Sequence, residues 1–451
     1  MNTKTLYLIL LFFPLVSFLS CNRPQSTETE YVADNPNFVS LTFAAMDSIP
    51  GLDKAVFTLE NDTLLKDSVI VNLDSLPFQT RVDSVYPTFY FKSTSGSFIY
   101  SNDTIFLTGN DTIDFSELVY VHNISADGTK SVTHPVKVNV HQVEPELYVW
   151  KKLSDNVIHS DIIGSQQKVV FFKDSFLYYI SNGIENVLYT AVDPAGEWKE
   201  ETLKFTSASS FGYNFQYMVN HNGKLFVTNN QKELYSTTNG KSWAKVDVKF
   251  EGGTLYNLLF SLRGNLWAIS ESAEKTYHFA SSPDGITWTK KSSLPGGFPV
   301  SNYASLVFQS RLGNPKAIVL GGNDENGVLK KQNWSTETGD YWVNLGKEDN
   351  TLGPVAGAAL IQYDGKILMF GGMGSDNMVT KNYYRESVDQ GLSWFVPDTA
   401  YNKLPEDYVP RSYQSAIVVE KDKRIYLIGG KDNANTYFDV WTGKLNRMSF
   451  E

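Results

Sequence analysis

Five tryptophans recur at a near-regular stride through the second half of the chain, Trp198, Trp243, Trp288, Trp342 and Trp394, about 45 to 54 residues apart. Each closes a short polar turn. The pattern Asp-x-Gly-x-x-Trp is complete in Ser387-Val388-Asp389-Gln390-Gly391-Leu392-Ser393-Trp394 and compressed in Ser282-Pro283-Asp284-Gly285-Ile286-Thr287-Trp288. Asn239 replaces the aspartate before Gly240 and Trp243, Glu337 stands in its place before Gly339 and Trp342, and Asp193-Pro194-Ala195-Gly196-Glu197-Trp198 is a looser first copy. A period near 45–50 residues filled with strands and turns is the signature of propeller blades, each a four-stranded sheet.

A second mark is laid over the first. Ile318-Val319-Leu320-Gly321-Gly322, Leu368-Met369-Phe370-Gly371-Gly372 and Tyr426-Leu427-Ile428-Gly429-Gly430 each end an apolar strand with two glycines. These resemble the kelch repeat, as does Pro410-Arg411-Ser412-Tyr413-Gln414-Ser415-Ala416 ahead of the last copy. The aspartate motif resembles the Asp-box of sialidases and sortilin-like propellers. That resemblance implies that Asp284 and Asp389 accept turn N–H groups, that Gly285 and Gly391 take φ > 0, and that Trp288 and Trp394 fill space between blades.

Dividing the chain by these marks predicts six blades, at about 158–200, 203–248, 252–294, 300–346, 353–398 and 411–450. Blade two predicts strands over 215–219, 224–228, 233–237 and 242–246. The last repeat lacks the turn tryptophan, since Trp441 falls on its third strand. Tyr148-Val149-Trp150-Lys151-Lys152 resembles the fourth-strand segment around Trp288, so residues 147–153 are expected to complete the last blade.

The N-terminal part reads differently. Lys4 is the only charge in residues 1–20, followed by an apolar run and then Phe18-Leu19-Ser20-Cys21. That is a secretory signal peptide whose end resembles a bacterial lipobox, so Cys21 is expected to be lipidated. Residues 21–36 read as a tether and residues 37–145 as short strands, favouring an immunoglobulin-like β-sandwich. The expected fold class is therefore all-β: an immunoglobulin-like sandwich followed by a six-bladed kelch-like β-propeller over residues 146–451. Asp-Ser/Thr-aliphatic triplets centred on Ser48, Thr63, Ser68, Ser75, Ser84, Thr104 and Thr112 resemble the O-glycosylation acceptor of Bacteroidetes-type bacteria. Turn capping explains the same triplets without a glycan.

Function is less directly written. The chain carries 39 basic and 49 acidic residues, for a net charge of −10, which argues against nucleic acid as partner. With one Cys and six scattered His, no cofactor or metal site is expected. Loops after the glycine pairs share a face with the connections between blades. They offer Asn323, Asp324, Asn326, Asp376, Asn377, Asp432 and Asn433, and the connections add Phe211, Tyr213, Phe298, Tyr303, Tyr408, Arg411 and Tyr413. Aromatic faces beside amides and carboxylates suit a glycan, and a protein ligand is the other candidate. The whole resembles uncharacterised Bacteroidetes-type lipoproteins that join a β domain to a galactose-oxidase-central-domain-like propeller. The resemblance implies an envelope location and supplies no established activity; the expectation is a monomeric binding or scaffold protein, anchored by lipid in the outer membrane and displayed at the periplasmic side or the cell surface. A divergent sialidase- or galactose-oxidase-like enzyme is the alternative. Against it, no Phe/Tyr-Arg-Ile-Pro motif is present, and the lone Cys leaves none for a Tyr–Cys crosslink.

Overall fold

The computed structural model describes residues 33–47, 49, 51–62, 67–100, 104–158, 166–206, 212–345, 352–380 and 383–446. Cys21, the preceding segment, most of the tether, Ser48, Thr63 and Phe211 lie outside the described residues. The chain divides into two compact units between Glu144 and Pro145.

In the first unit, Phe38–Phe43 pairs with Pro87–Phe91 in one sheet. A second sheet runs Phe57–Asp62, Asp67–Asn72, Ser131–Lys137, Val119–Ile124, Gly96–Tyr100 and Thr104–Phe106. The pairing of Asp67–Asn72 with Ser131–Lys137 is parallel. Both sheets feed one core, with Leu41 and Phe43 from the first meeting Ile70, Ile99, Val121 and Val136 from the second. The aliphatic residues of the Asp-Ser/Thr triplets help build it. Leu76, Val85 and Ile113 belong to it and Val69 is buried outside it, whereas Ser84 and Thr112 face solvent and Ser68 and Ser75 are half-buried.

The second unit holds six sheets among the described residues. They begin at Gln166–Phe172, Val219–His221, Thr254–Leu262, Ala304–Gln309, Ala359–Tyr363 and Ser415–Val419. In each, the first two strands pair antiparallel. The sixth sheet takes its fourth strand from the start of the unit, where Tyr148–Ser154 pairs with Val440–Leu445. The N-terminal segment thus covers an edge that the last repeat would leave unpaired.

Six apolar clusters join these sheets, each formed by two neighbours and each holding a tryptophan. Trp243 sits between the first and second sheets, Trp288 between the second and third, and Trp342 packs between the third and fourth. Trp394 joins the fourth to the fifth, Trp441 the fifth to the sixth, and Trp198 the sixth back to the first. Burying an indole of roughly 150–250 Å² is worth at most about 4–6 kcal/mol at about 25 cal/mol per Å². The regular stride of tryptophan is therefore the stride of the inter-sheet contacts.

Two local expectations fail. Phe215–Tyr217 is a 3-10 turn, because the Asn214 carbonyl accepts the Tyr217 N–H and the Phe215 carbonyl that of Met218, so the strand starts at Val219. The second sheet also gains a strand, Lys204–Phe205, which runs parallel to Ser242–Lys245 and covers its outer edge.

Candidate functional site

The aspartate turns are built from more than the aspartate. Ser282 Oγ accepts the Gly285 N–H at 2.8 Å and donates to Asp284 Oδ1 at 2.9 Å. Asp284 Oδ1 also accepts the N–H groups of Ile286 and Thr287, and the Trp288 indole donates to the Gly285 carbonyl at 2.8 Å. The Thr287 and Ile286 N–H groups hold the Asp284 carboxyl below the ordinary carboxylate range. Ser387 plays the Ser282 part for Asp389 and Gly391, and Thr237 plays it for Asn239 and Gly240. In the fourth copy the capping atom belongs to Thr338, which accepts from Asp340 and Tyr341, not to Glu337 as the alignment of motifs predicts.

The turn glycines Gly240, Gly285, Gly339 and Gly391 lie against the preceding sheet. A Cβ at Gly285 would overlap the Phe226 ring, one at Gly339 the Trp267 indole, and one at Gly391 the Asn333 amide. The turns also bond the hairpins between first and second strands of the preceding sheet: Arg263 Nε donates to the Glu337 carbonyl at 2.6 Å and Arg311 to that of Val388 at 2.8 Å. That face is a lattice of structural turns.

The glycine pairs organise the opposite face. Gly321, Gly322, Gly371, Gly372, Gly429 and Gly430 all have positive φ. A Cβ at Gly321 would overlap the Val355 carbonyl and one at Gly371 the Arg411 carbonyl. Bare backbone lets the end of one sheet touch the segment leading into the next. In those lead-in segments Asn302, Gly357 and Tyr413 adopt φ of +54°, +64° and +56°. They bond in series: Asn302 N–H to Tyr217 Oη at 2.6 Å, Gly357 N–H to the Asn302 carbonyl at 2.9 Å, and Tyr413 N–H to the Gly357 carbonyl at 2.7 Å. The Tyr413 ring lies over Gly357, where a Cβ would collide with it. Left-handed backbone at an asparagine and a tyrosine costs of order 1 kcal/mol each, strain of the kind that gathers at ligand sites.

Three hollows meet at this collar. A narrow cavity of about 90 Å³ is bounded by first-strand and lead-in residues of five sheets, among them Lys168, Gln216, Asn302, Ala359 and Tyr413. A groove of about 460 Å³ beside it is lined by Asn302, Asn323, Met373, Asn377 and Tyr413. Another of about 280 Å³ is lined by Gln216, Asn229, Lys232, Tyr256 and Asn302. Asn302 belongs to all three, and its Nδ2 donates to Asn323 Oδ1 at 3.0 Å. A larger depression of about 660 Å³ lies near the turn between Tyr363 and Lys366, among the mixed charges of Asp364, Glu420, Lys421, Lys423 and Lys444, away from these residues.

Of the residues the sequence puts forward, Asn323, Asn377 and Tyr413 line the groove. Asn326, Asp376 and Asn433 are exposed at loop tips, and Asp376 caps the Met378 N–H. Asp432 is half-buried and caps Ala434 and Asn435. The others are packing residues. Tyr213 stacks on Phe205, Phe298 meets Phe279 and Trp342, and Tyr303, though it borders the cavity, donates its hydroxyl to the Leu258 carbonyl. Tyr408 donates to Gln414, and Asp324 is buried in an ion pair with Lys330. Arg411 is 1 % exposed and is held bidentate by Asp439 between Tyr408 and Tyr437. Aromatic and charged side chains at strand boundaries serve equally well as wedges between sheets, and here they do. Sequence reasoning missed Lys168, Gln216, Tyr256 and Asn302. Only Lys168 carried a signal, a lone charge inside the strand Gln166–Phe172.

Comparison with known proteins gives a family. The model described as the DUF6242 beta propeller domain matches residues 144–451, and that of the DUF6242 N-terminal domain matches residues 26–138. No curated protein matches the chain. Among solved structures, one described as "Structure of YjhT" aligns with 64% of this chain and 96% of its own at 13% identity and a TM-score of 0.47.

Proposed function

The chain belongs to the DUF6242 family, in which an N-terminal domain precedes a β-propeller, and from that premise we propose that it is an envelope protein that binds a glycan at the propeller mouth. In this reading the six sheets are six blades, the aspartate turns are Asp-boxes, and the glycine pairs are kelch-like. The first unit is an immunoglobulin-like stalk, and acylated Cys21 anchors the whole to the outer membrane. The exposed Ser84 and Thr112 are available to the O-glycosylation that their triplets suggest.

The observation that carries the binding assignment is the convergence of three hollows on Asn302. Around it stand the amides of Gln216, Asn323 and Asn377 and the rings of Tyr256 and Tyr413. Amides satisfy both donor and acceptor needs of sugar hydroxyls, and rings cover the apolar faces of pyranoses. The reading assigns binding without turnover, because no carboxylate stands among the described residues lining the cavity or the two grooves to act as a general acid. A glycan array probed with the mature chain tests this. Retention of a saccharide by the wild type, lost in Asn377→Ala and Tyr413→Ala, is the expected result. A blank array refutes it, and recovery of a protein on the same surface would make the ligand a protein. For the anchor, Cys21→Ser should release the protein from the membrane fraction, and unchanged fractionation would refute lipidation.

A further inference from the structure

An enclosed lysine ordinarily has a carboxylate beside it, because leaving water disfavours the ammonium. Three half-buried lysines of this propeller follow the rule, Lys330 with Asp324, Lys232 with Glu271 and Lys366 with Glu386, whereas Lys431, whose pKa burial also lowers, lies over the Tyr413 ring. Lys168 does not follow it. It borders the axial cavity, and no hydrogen bond or ion pair engages its side chain among the described residues. Burial lowers its pKa, and no charged neighbour offsets that effect. The described residues lining the cavity include no Asp, Glu or His. The titratable groups that face it from the other elements are Tyr217, Tyr303 and Tyr413, each pushed up by burial and so neutral at physiological pH. Tyr179, paired with Lys168 across the first hairpin, is likewise raised by burial and donates to the Gly240 carbonyl. Gln414, also in the lining, keeps Nε2 without an acceptor. The cavity therefore collects a potential positive charge and unmet donors with no anion of its own.

We propose that this cavity is a carboxylate subsite, in which Lys168 Nζ holds the acidic group of a ligand whose remainder lies in the mouth grooves. The proposal rests on the reading of the mouth as the ligand face and narrows it to acidic saccharides. Size supports the division. A cavity of about 90 Å³ takes a carboxylate and a water or two, since a water occupies about 30 Å³ in the liquid, and a sugar ring must stay outside. A bound carboxylate supplies the missing counter-charge and raises the lysine pKa again, so binding weakens as pH climbs past the value of the empty site.

The test is calorimetric titration of the mature chain with acetate, D-glucuronate and D-glucose, repeated with Lys168→Met. The expected result is saturable acetate binding, glucuronate at least tenfold tighter than acetate, and glucose far weaker than glucuronate. Lys168→Met should weaken both acids at least tenfold and melt no lower than the wild type, because it removes an uncompensated charge. Protection of Lys168 from reductive methylation by acetate, read by peptide mass, checks the same contact without any substitution. Absence of acetate binding, or equal binding by Lys168→Met, overturns the subsite even if neutral glycans bind the mouth. Acetate binding with no gain for glucuronate supports the subsite and overturns the saccharide reading of the grooves.

Discussion

Arg411 and Asp439 separate a structural from a ligand-binding role for the sixth sheet. The guanidinium is 1 % exposed and Asp439 is 6 % exposed. Asp439 accepts from both terminal nitrogens of Arg411 and, at 2.8 Å, from the Trp441 indole. Arg411 Nε donates to the Val409 carbonyl at 2.8 Å, and its carbonyl fits against Gly371 of the fifth sheet. In Asp439→Asn one oxygen must serve three donors, while the new amide adds a donor facing them. Removing one partner of a buried ion pair costs about 3–5 kcal/mol. At about 2 °C per kcal/mol for a unit of this size, that is a loss of roughly 6–10 °C in the propeller transition. Arg411→Met should cost a similar amount, stranding the carboxylate with the indole alone. The double variant Arg411→Met/Asp439→Leu should recover most of the loss, leaving chiefly the unpaired indole N–H at about 1–3 kcal/mol. Differential scanning calorimetry on the four proteins measures this. Single variants that melt with the wild type, or a double variant showing the sum of the single losses, would refute the clip and return Arg411 to the ligand face.

The paired glycines and the turn carboxylates give two further expectations. Gly371→Ala should cost more than about 3 kcal/mol, because the left-handed backbone and the Arg411 carbonyl both oppose a Cβ. Gly365→Ala, at φ +73° with open space around it, should cost only about 1 kcal/mol, and equal losses in urea denaturation would show that close approach is irrelevant. On acidification the sign follows from Asp284, whose folded pKa is depressed by the Thr287 and Ile286 N–H groups. Asp389 is also depressed, by Ser393, although burial pushes it the other way. The stability they contribute is present above the unfolded value near 4 and is lost as pH falls through their lower folded values, because the unfolded chain then binds protons first. The melting temperature should hold from pH 7 to about 5 and fall below about 4, with a shallower fall in Asp284→Asn; an unchanged slope would remove the turn from the acid response.

What could be read in advance was whatever depends on a few consecutive residues. A tryptophan three residues after a left-handed glycine is fixed by its own turn, so Trp243, Trp288 and Trp394 mark the sheets wherever the chain goes. The same local logic found Tyr148–Ser154, whose Trp150 matches the fourth-strand pattern despite lying nearly 300 residues from its partner. It failed where neighbours in space decide. Phe298 and Tyr408 look like loop aromatics because the sheets that clamp them are distant in sequence. Glu337 matches the motif by residue type, although the turn needs only a side-chain oxygen, which Thr338 supplies one residue later.

The collar is the harder case and the more instructive one. Asn302, Gly357 and Tyr413 share no chemistry, yet they occupy equivalent positions in three consecutive sheets because the series between them runs through backbone N–H and C=O groups. The side chains also pack on one another, Asn302 Nδ2 donating to Asn323 Oδ1 and the Tyr413 ring lying over Gly357, and they still leave an amide and a ring lining the groove. Lys168 differs in kind: its place in the strand demands no charge, and an apolar residue would pack at lower cost. A fold that accepts a cost at the axis, beside left-handed backbone at Asn302 and Tyr413, concentrates strain and unmet donors where three hollows join. That is where a ligand has most to gain by binding, and it is why the mouth, not the larger charged depression among Asp364 and Lys444, is the surface to test.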